Sequence, residues 1–378
     1  GNVMQTTPIR VPGRASSMHP IAIGGQWAKR AQRCAFTRCA ARGLGMLYGI
    51  SLLSSTALAA TGNVDVYGVF YIGQLNAYET TLHESGIGAA YAGLAAPNLA
   101  LNGAHHRTLL GLKGANESGG GCAWGTVDFA QARDAHTHLA EIGACKDIGA
   151  ARLGIGIGRT KSAVDRSLGG KSSSTGDYLI AEWATPMGHN LEASATGLYG
   201  DFETDHRRNY SNGLLVDTSL GRTDARSTAI RLRLDWRDAA MIGNQTISPY
   251  VAYSWSETKQ DAYTETGGSQ PESFADQHWR VRDLRMGAAS RLALSAETEL
   301  HLAATAIHVF EEDSIEISGS GFTLGGKQDA SNRVGFTLDF DHRLAPRTVW
   351  SAGMGATSSL DSGSAWVWSI TTGIRGVF

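Results

Sequence analysis

Three groups of residues carry side chains that do chemistry in other proteins, and each is poorly arranged for it here. His105-His106-Arg107 offers two imidazoles beside a guanidinium, the raw material of a metal site or an acid–base pair. Adjacent residues on a helix point in different directions, so neighbouring rings do not converge on one atom; a polar helix end accounts for them better. Gly154-Ile155-Gly156-Ile157-Gly158-Arg159 superficially resembles a nucleotide loop, but it lacks the P-loop spacing and a following helix. Small residues along a strand explain it. No Ser–His–Asp set, paired carboxylates or zinc-ligand spacing is evident, so the chain is read as neither an enzyme nor a holder of metal or cofactor. Cys122 and Cys145 have no His or Cys at ligand spacing and are expected to form a disulfide in an oxidising compartment.

The remaining charged residues alternate with apolar ones, and that pattern says what positions them. Ile230, Leu232, Leu234 and Trp236 fall on one face of an extended segment, and Arg231, Arg233, Asp235 and Arg237 on the other. Val334, Phe336, Leu338 and Phe340 likewise oppose Arg333, Asp339 and Asp341, and in the last segment Trp366, Trp368, Ile370, Ile374 and Phe378 oppose Arg375. From about residue 122 onward such segments recur between polar or glycine-rich turns. Twelve are expected, near 122–132, 136–146, 149–160, 176–185, 189–203, 226–238, 246–260, 278–292, 297–311, 331–344, 347–358 and 365–378. Soluble sandwiches also alternate. Long strands with aromatic residues at their ends favour a membrane barrel, whose strands need about 9 to 11 residues in the bilayer. The fold class is therefore all-β, a roughly 12-stranded antiparallel transmembrane barrel. Arg231, Arg233, Asp235, Arg285, Arg333, Asp339 and Arg375 are expected to face its lumen, with Asp128, Glu141, Glu182 and Asp283 as further lumenal acids.

Short connections (133–135, 186–188, 238–244, 294–296, 345–346) alternate with long ones (161–175, 204–225, 261–277, 312–330, 359–364), as periplasmic turns and external loops would. The short link at 147–148 and the short first hairpin interrupt that phase. The first hairpin brings Cys122 and Cys145 face to face across adjacent strands.

Ahead of the barrel, Lys29, Arg30, Arg33, Arg38 and Arg42 precede an apolar run from Leu44 to Leu53 and the exit Ala57-Leu58-Ala59. These are the parts of a secretory signal over residues 1–59, cleaved after Ala59 or Ala60. The stretch before Lys29 is long for a signal, and Met18 is an alternative start. Residues 60–121 hold a short strand expected at Val64–Tyr71 and an Ala- and Leu-rich helix expected at Ile87–Leu110, with Pro97 as a kink. A helix of that length could thread a barrel lumen. Charges nearly cancel, with 33 Lys+Arg against 35 Asp+Glu, which argues against a nucleic-acid binder.

Several segments resemble the β-domain of monomeric autotransporters (type V secretion). Ile247-Ser248-Pro249-Tyr250-Val251-Ala252-Tyr253-Ser254-Trp255 followed by Asp261-Ala262-Tyr263-Thr264-Glu265 is similar to its middle. Arg285-Met286-Gly287-Ala288 resembles its LG-x-R strand with Met286 for Leu, and Thr372 to Phe378 its closing G-x-R-x-x-F strand. The likeness spans about residues 105–378. It implies a 12-stranded barrel threaded by an N-terminal helix and a terminal aromatic, Phe378, read by the barrel-assembly machinery. It also implies Sec export, outer-membrane lipid as surroundings and a monomeric translocator that carries its own N-terminal segment. Some relatives cut themselves at a helix Asn with help from lumenal acids. Asn98 and Asn102 lie in the expected helix, but the Asn-Asn pair of that group is absent, so these polar groups are read as lining a wet lumen. Such proteins carry a large passenger, for which this chain leaves little room; it is then vestigial, or the chain is a fragment, or the barrel serves another end. The alternatives are a passive porin-like channel and, third, a soluble envelope β-protein.

Overall fold

The computed structural model describes residues 72–103, 120–310, 312–320, 322–328, 330–360 and 366–378. Residues 1–59, the expected strand at 64–71 and His105-His106-Arg107 lie outside them. The first described element is a helix, α1 (Ile72–Leu101). It is followed by strands β1 (Gly121–Gln131), β2 (Ala135–Ile148), β3 (Ala151–Asp165), β4 (Lys171–Gly188), β5 (Leu191–Asn212) and β6 (Leu215–Trp236). Then come β7 (Ala240–Ile242), β8 (Gln245–Gln260), β9 (Tyr263–Thr264), β10 (Ser273–Phe274), β11 (Gln277–Ala293) and β12 (Thr298–Val309). The last are β13 (Glu312–Gly319), β14 (Phe322–Gln328), β15 (Ser331–Ala345), β16 (Thr348–Ser359) and β17 (Val367–Val377).

Twelve of these close an antiparallel barrel in the order β1-β2-β3-β4-β5-β6-β8-β11-β12-β15-β16-β17, with β17 hydrogen-bonded to β1. Phe378 and Gly121 seal that seam by exchanging backbone hydrogen bonds of 2.9 and 3.0 Å. Closure leaves no unpaired barrel edge, which is what lets a sheet exist in lipid. Outward positions form an apolar band: Ile142, Ile155, Ile157, Leu179, Ile230, Leu232, Phe336, Ile370 and Ile374 are exposed. Trp183, Trp236, Trp350 and Trp368 are exposed with it, as the aromatic girdles of a membrane barrel are.

The two ends differ. One carries only tight turns, at 149–150, 189–190, 237–244, 294–297 and 346–347. In one of them His189 and Asn190 both adopt positive φ (51° and 63°), the geometry of a two-residue hairpin turn. The other carries the loops, and the short first hairpin belongs to this loop end, not with the tight turns where its length suggested. The long connection expected at 204–225 is mostly strand: β5 and β6 run on past the apolar band and turn only at Gly213 and Leu214. Their outward face there is charged (Asp201, Glu203, Asp205, Arg222, Arg226), so this part of the hairpin stands in water rather than lipid. The connections near 261–277 and 312–330 hold a second, four-stranded sheet, β14-β13-β10-β9.

Candidate functional site in the barrel lumen

The lumen is occupied by α1. At 1.5 Å per residue its 30 residues run about 45 Å. Its first half meets the loop end: Leu82 packs with Tyr263, Phe274 and Ile317 of the second sheet. Its last turn lies among Leu139, Tyr178, Ile180, Leu198 and Ala229 of the wall. The helix begins fifteen residues before the expected Ile87 and stops at Leu101. The signal for its first half is weak because Ile72 to Ser85 is mostly polar; of its described side chains, Tyr78, Thr81, Glu84 and Ser85 hydrogen-bond to the loop end.

Arg208 of β5 organises that end. Its guanidinium pairs with Glu265 at 2.6 Å, both side chains essentially inaccessible, and donates to the Gln270 carbonyl at 2.7 Å. It lies over the rings of Tyr78 and Tyr210, at 4.9 and 4.6 Å from their centroids, a cation–π arrangement. Tyr78 in turn donates to Glu272 at 2.7 Å. Next to it, Arg166 donates to Ser85 Oγ of the helix at 2.6 Å and approaches His206 Nδ1 at 3.2 Å. Burial, followed by the Arg166 charge, holds the His206 imidazole down at about 3. Burial likewise lowers Arg166 to about 10.

Farther in, small residues let the helix approach the wall. Ala89, Ala92, Ala96 and Ala100 are buried, and a Cβ on Gly93 would lie 2.7 Å from Thr258 Cγ2. Pro97 has no N–H, so the Gly93 carbonyl loses its partner four residues on. Two wall hydroxyls stand in its place, Ser227 Oγ at 3.2 Å and Thr258 Oγ1 at 3.0 Å; one proton is shared between them and the other goes to the carbonyl. A buried carbonyl without a partner costs about 1–3 kcal/mol. The expected kink residue thus creates an acceptor that the barrel satisfies at one axial position of the helix.

Below the helix the lumen is laced with charge. Arg231 pairs with Glu182 at 3.0 Å, and Thr196 donates to the same carboxylate at 2.5 Å. Arg233 pairs with Asp235 at 2.7 Å and lies 3.8 Å from the Tyr250 ring centroid. Arg285 pairs with Asp283 at 2.7 Å and donates to Asn98 Oδ1 at 3.0 Å, joining wall to helix. Arg375 pairs with Asp341 at 2.6 Å. Arg333 and Asp339 share the lumenal parity of β15, Arg333 exposed and Asp339 half-buried. Glu141 accepts from Trp124 Nε1 and Tyr178 OH at 2.7 and 2.8 Å. These rings lie flat along the wall over glycines: a Cβ at Gly143 would meet Trp124 at 2.2 Å, and one at Gly158 would meet Tyr178 at 2.3 Å. Asp128 is buried near Gly103, 3.5 Å from where a Cβ there would stand. Asn102 spends its amide on Asn98, donating to its carbonyl at 2.9 Å and its Oδ1 at 3.0 Å. The carboxylates and Asn side chains here hold a structure together.

Cys122 and Cys145 are register partners on β1 and β2 and are joined by a disulfide, Cα atoms 4.8 Å apart. Among the described residues no group of three or more His, Cys, Asp or Glu is placed to hold a metal.

A closed barrel with an apolar outer band, a charged interior and its own helix in the lumen is an outer-membrane transport barrel with an occupied pore. Residues 118–355 match the family model for the autotransporter β-domain, well over half the chain, and the chain belongs to that family. Its fold is similar to the translocator domain of the autotransporter NalP from Neisseria meningitidis, with a TM-score of 0.59. That alignment has 13% identity and covers 76% of this chain and 98% of that one. The β domain of the Bordetella autotransporter BrkA also aligns, at 14% identity and a TM-score of 0.47 over 69% of this chain and 100% of that one. No curated protein sequence matches the chain.

Proposed function

We propose that this barrel is the translocator of an autotransporter, which carries its own N-terminal segment through or into its pore, and that α1 is the part of that segment lodged in the lumen. The observation that carries the reading is the direction of the helix. The chain enters α1 at the loop end, yet β1 starts at the opposite, tight-turn end. The backbone between them has to cross the pore. In this reading the loop end faces outward and residues 1–59 are a Sec signal removed after Ala59 or Ala60. Residues 60–121 form the linker, and 122–378 the monomeric translocator domain. Phe378, the exposed aromatic at the closing strand, is the docking residue for barrel assembly.

An epitope inserted between Gly62 and Asn63 tests this in intact cells. It is expected to be reached by antibody and by added protease without lysis; an epitope reached only after the outer membrane is opened overturns the reading. Conductance in planar bilayers adds a second arm. Residues 60–378 are expected to be nearly closed, and a chain beginning at Cys122 to conduct. Equal conduction by both would favour the passive porin-like channel.

A further inference from the structure

The lipid-facing surface between β17 and β5 is dented. Outward residues in hydrogen-bonded register form rows around the barrel. One row is Gly125, Ile142, Ile157, Leu179 and Tyr199; the next toward the loop end is Val127, Ala140, Arg159, Asp177 and Asp201. Gly125 and Ala140 are the small members of their rows, and between their neighbours lies an open groove of about 1020 Å³ with a mostly apolar lining. A Cβ placed on Gly125 would find only ordinary contact, 3.7 Å from Ile142, so nothing fills this space.

One row farther out, at a spacing of about 7 Å, stand Phe129, His138, Lys161 and Thr175. No carboxylate interrupts that row until Glu203 on β5. His136 is 5.5 Å from His138, ring to ring. The carboxylates nearby each have a cation: Asp177 lies 3.7 Å from Arg159 and Asp165 3.9 Å from Lys171. Lys161 is left as a surplus cation, with the His136 and His138 rings beside it as polar neighbours, directly above an empty apolar trough.

We propose that this groove binds a phosphorylated, multiply acylated lipid of the outer leaflet, one acyl chain lying in the trough and a phosphate engaged by Lys161 and His138. Charge complementarity selects this occupant: an uncharged or zwitterionic lipid fills the trough but leaves Lys161 unmatched, and a lipid with an anionic headgroup meets both trough and cation. The assignment to the outer leaflet rests on the loop end facing outward, but binding of the lipid does not.

Native mass spectrometry of the full chain extracted from outer membranes tests it, with lipid A carrying two phosphates as the probe. Phosphatidylglycerol, phosphatidylcholine and inorganic pyrophosphate serve as comparisons. Lipid A is expected to be retained in preference to phosphatidylcholine, and pyrophosphate not to displace it. Two changes are made separately: His138→Ala with Lys161→Ala removes the headgroup contacts, and Ala140→Trp fills the trough. Each is expected to weaken retention about tenfold or more. Retention unchanged in both variants, equal retention of phosphatidylcholine, or displacement by pyrophosphate overturns the proposal. Both changes face out of the barrel, and the heat-dependent gel shift of a closed barrel reports folding; Gly125→Leu fills the trough if Ala140→Trp does not fold. Surface display of the epitope at Gly62 is expected to be unaffected, so loss of lipid binding and loss of translocation are read apart.

Discussion

The two walls of the lumen are built on different principles. On the side of β3 to β6 and β8 almost every inward position is buried, and many are small hydroxyl residues: Ser162, Ser172, Ser174, Thr204, Ser227 and Thr258. Their hydroxyls pair across strands, as Thr137 does with Ser162 at 3.0 Å and Ser227 with Thr258 at 2.7 Å, so a polar wall presents a dry surface to an alanine-rich helix. Facing it, β12 and β15 to β17 have inward positions that stay open: Arg333 and Thr337 are exposed, and Ala303, Thr305, Asp339 and Thr371 half-buried. One wall is fixed by what it packs against, the other by charge pairs such as Arg375 with Asp341. The sheet is continuous, so the asymmetry comes from the helix lying to one side. Small residues on both partners let it come close, as at helix interfaces in membranes.

The strongest way to break the comparison is to deny the helix its seat. In Gly93→Leu the new side chain runs into Thr258, since even a Cβ would be 2.7 Å from its methyl. We expect the pore to change from nearly closed to conducting, by about tenfold or more in single-channel current, because a 12-stranded barrel without its plug has room for water. An unchanged current would mean that the seat does not seal the pore. Next in size is the ion pair below the helix. Arg231→Ala leaves Glu182 as a charge stranded on the dry wall, at a cost of about 3–5 kcal/mol. Urea unfolding in detergent measures it, and a cost below about 1 kcal/mol would mean that water reaches this wall after all.

Much of this was legible in the sequence, for a physical reason. A strand's period of two does not depend on its neighbours, so the parity that sends Arg231 and Asp235 inward and Leu232 outward could be read off without knowing the barrel. The number of barrel strands followed in the same way. What could not be read was decided by partners distant in sequence. The run from Thr204 to Tyr210 alternates as strictly as the membrane part, but both faces are polar or mixed because one meets water and the other the helix, and from sequence alone it reads as a loop. The first half of α1 shows no apolar stripe, and its described side chains Tyr78, Leu82 and Ser85 meet Arg208, Phe274 and Arg166, which only the topology brings together. The Gly93 carbonyl latch needed Pro97, Ser227 and Thr258 at once, and only the first is local.

The loop end sharpens the comparison through pH. The folded His206 value, about 3, lies below the ordinary 6.5, so the folded state favours the neutral ring. Stability from this site is complete above pH 6.5 and falls as pH drops toward 3, by up to about 1.4 kcal/mol per unit. The groups facing it are Arg166, Ser172, Gln260 and the stacked Tyr263 ring, none of which supplies a negative charge at these pH values. We expect protease to cut the loop-end connections faster at pH 4.5 than at pH 7, and His206→Gln to flatten that difference. Equal acid sensitivity in the variant would place the titrating group elsewhere.

The smallest expected effect is also the most discriminating, because it asks whether the wall bonds the helix or only touches it. Ser227→Ala with Thr258→Val keeps the shape of the dry wall and removes both hydroxyls within reach of the Gly93 carbonyl. With Pro97 in place no N–H can substitute, and the change is expected to cost about 1–3 kcal/mol. In a Pro97→Ala background the helix gains an N–H at position 97 that reaches the same carbonyl, and the cost of the wall change should fall by about 1 kcal/mol or more. Pro97→Ala alone should change stability less than the wall change does, since the acceptor then merely trades one partner for another. The same cycle with Thr337→Val on the open wall provides the contrast, with an expected cost within about 0.5 kcal/mol in either background. A wall change that costs the same with and without Pro97 would mean that the two hydroxyls only fill space, and that the helix is held by shape on the dry wall as much as anywhere else in the lumen.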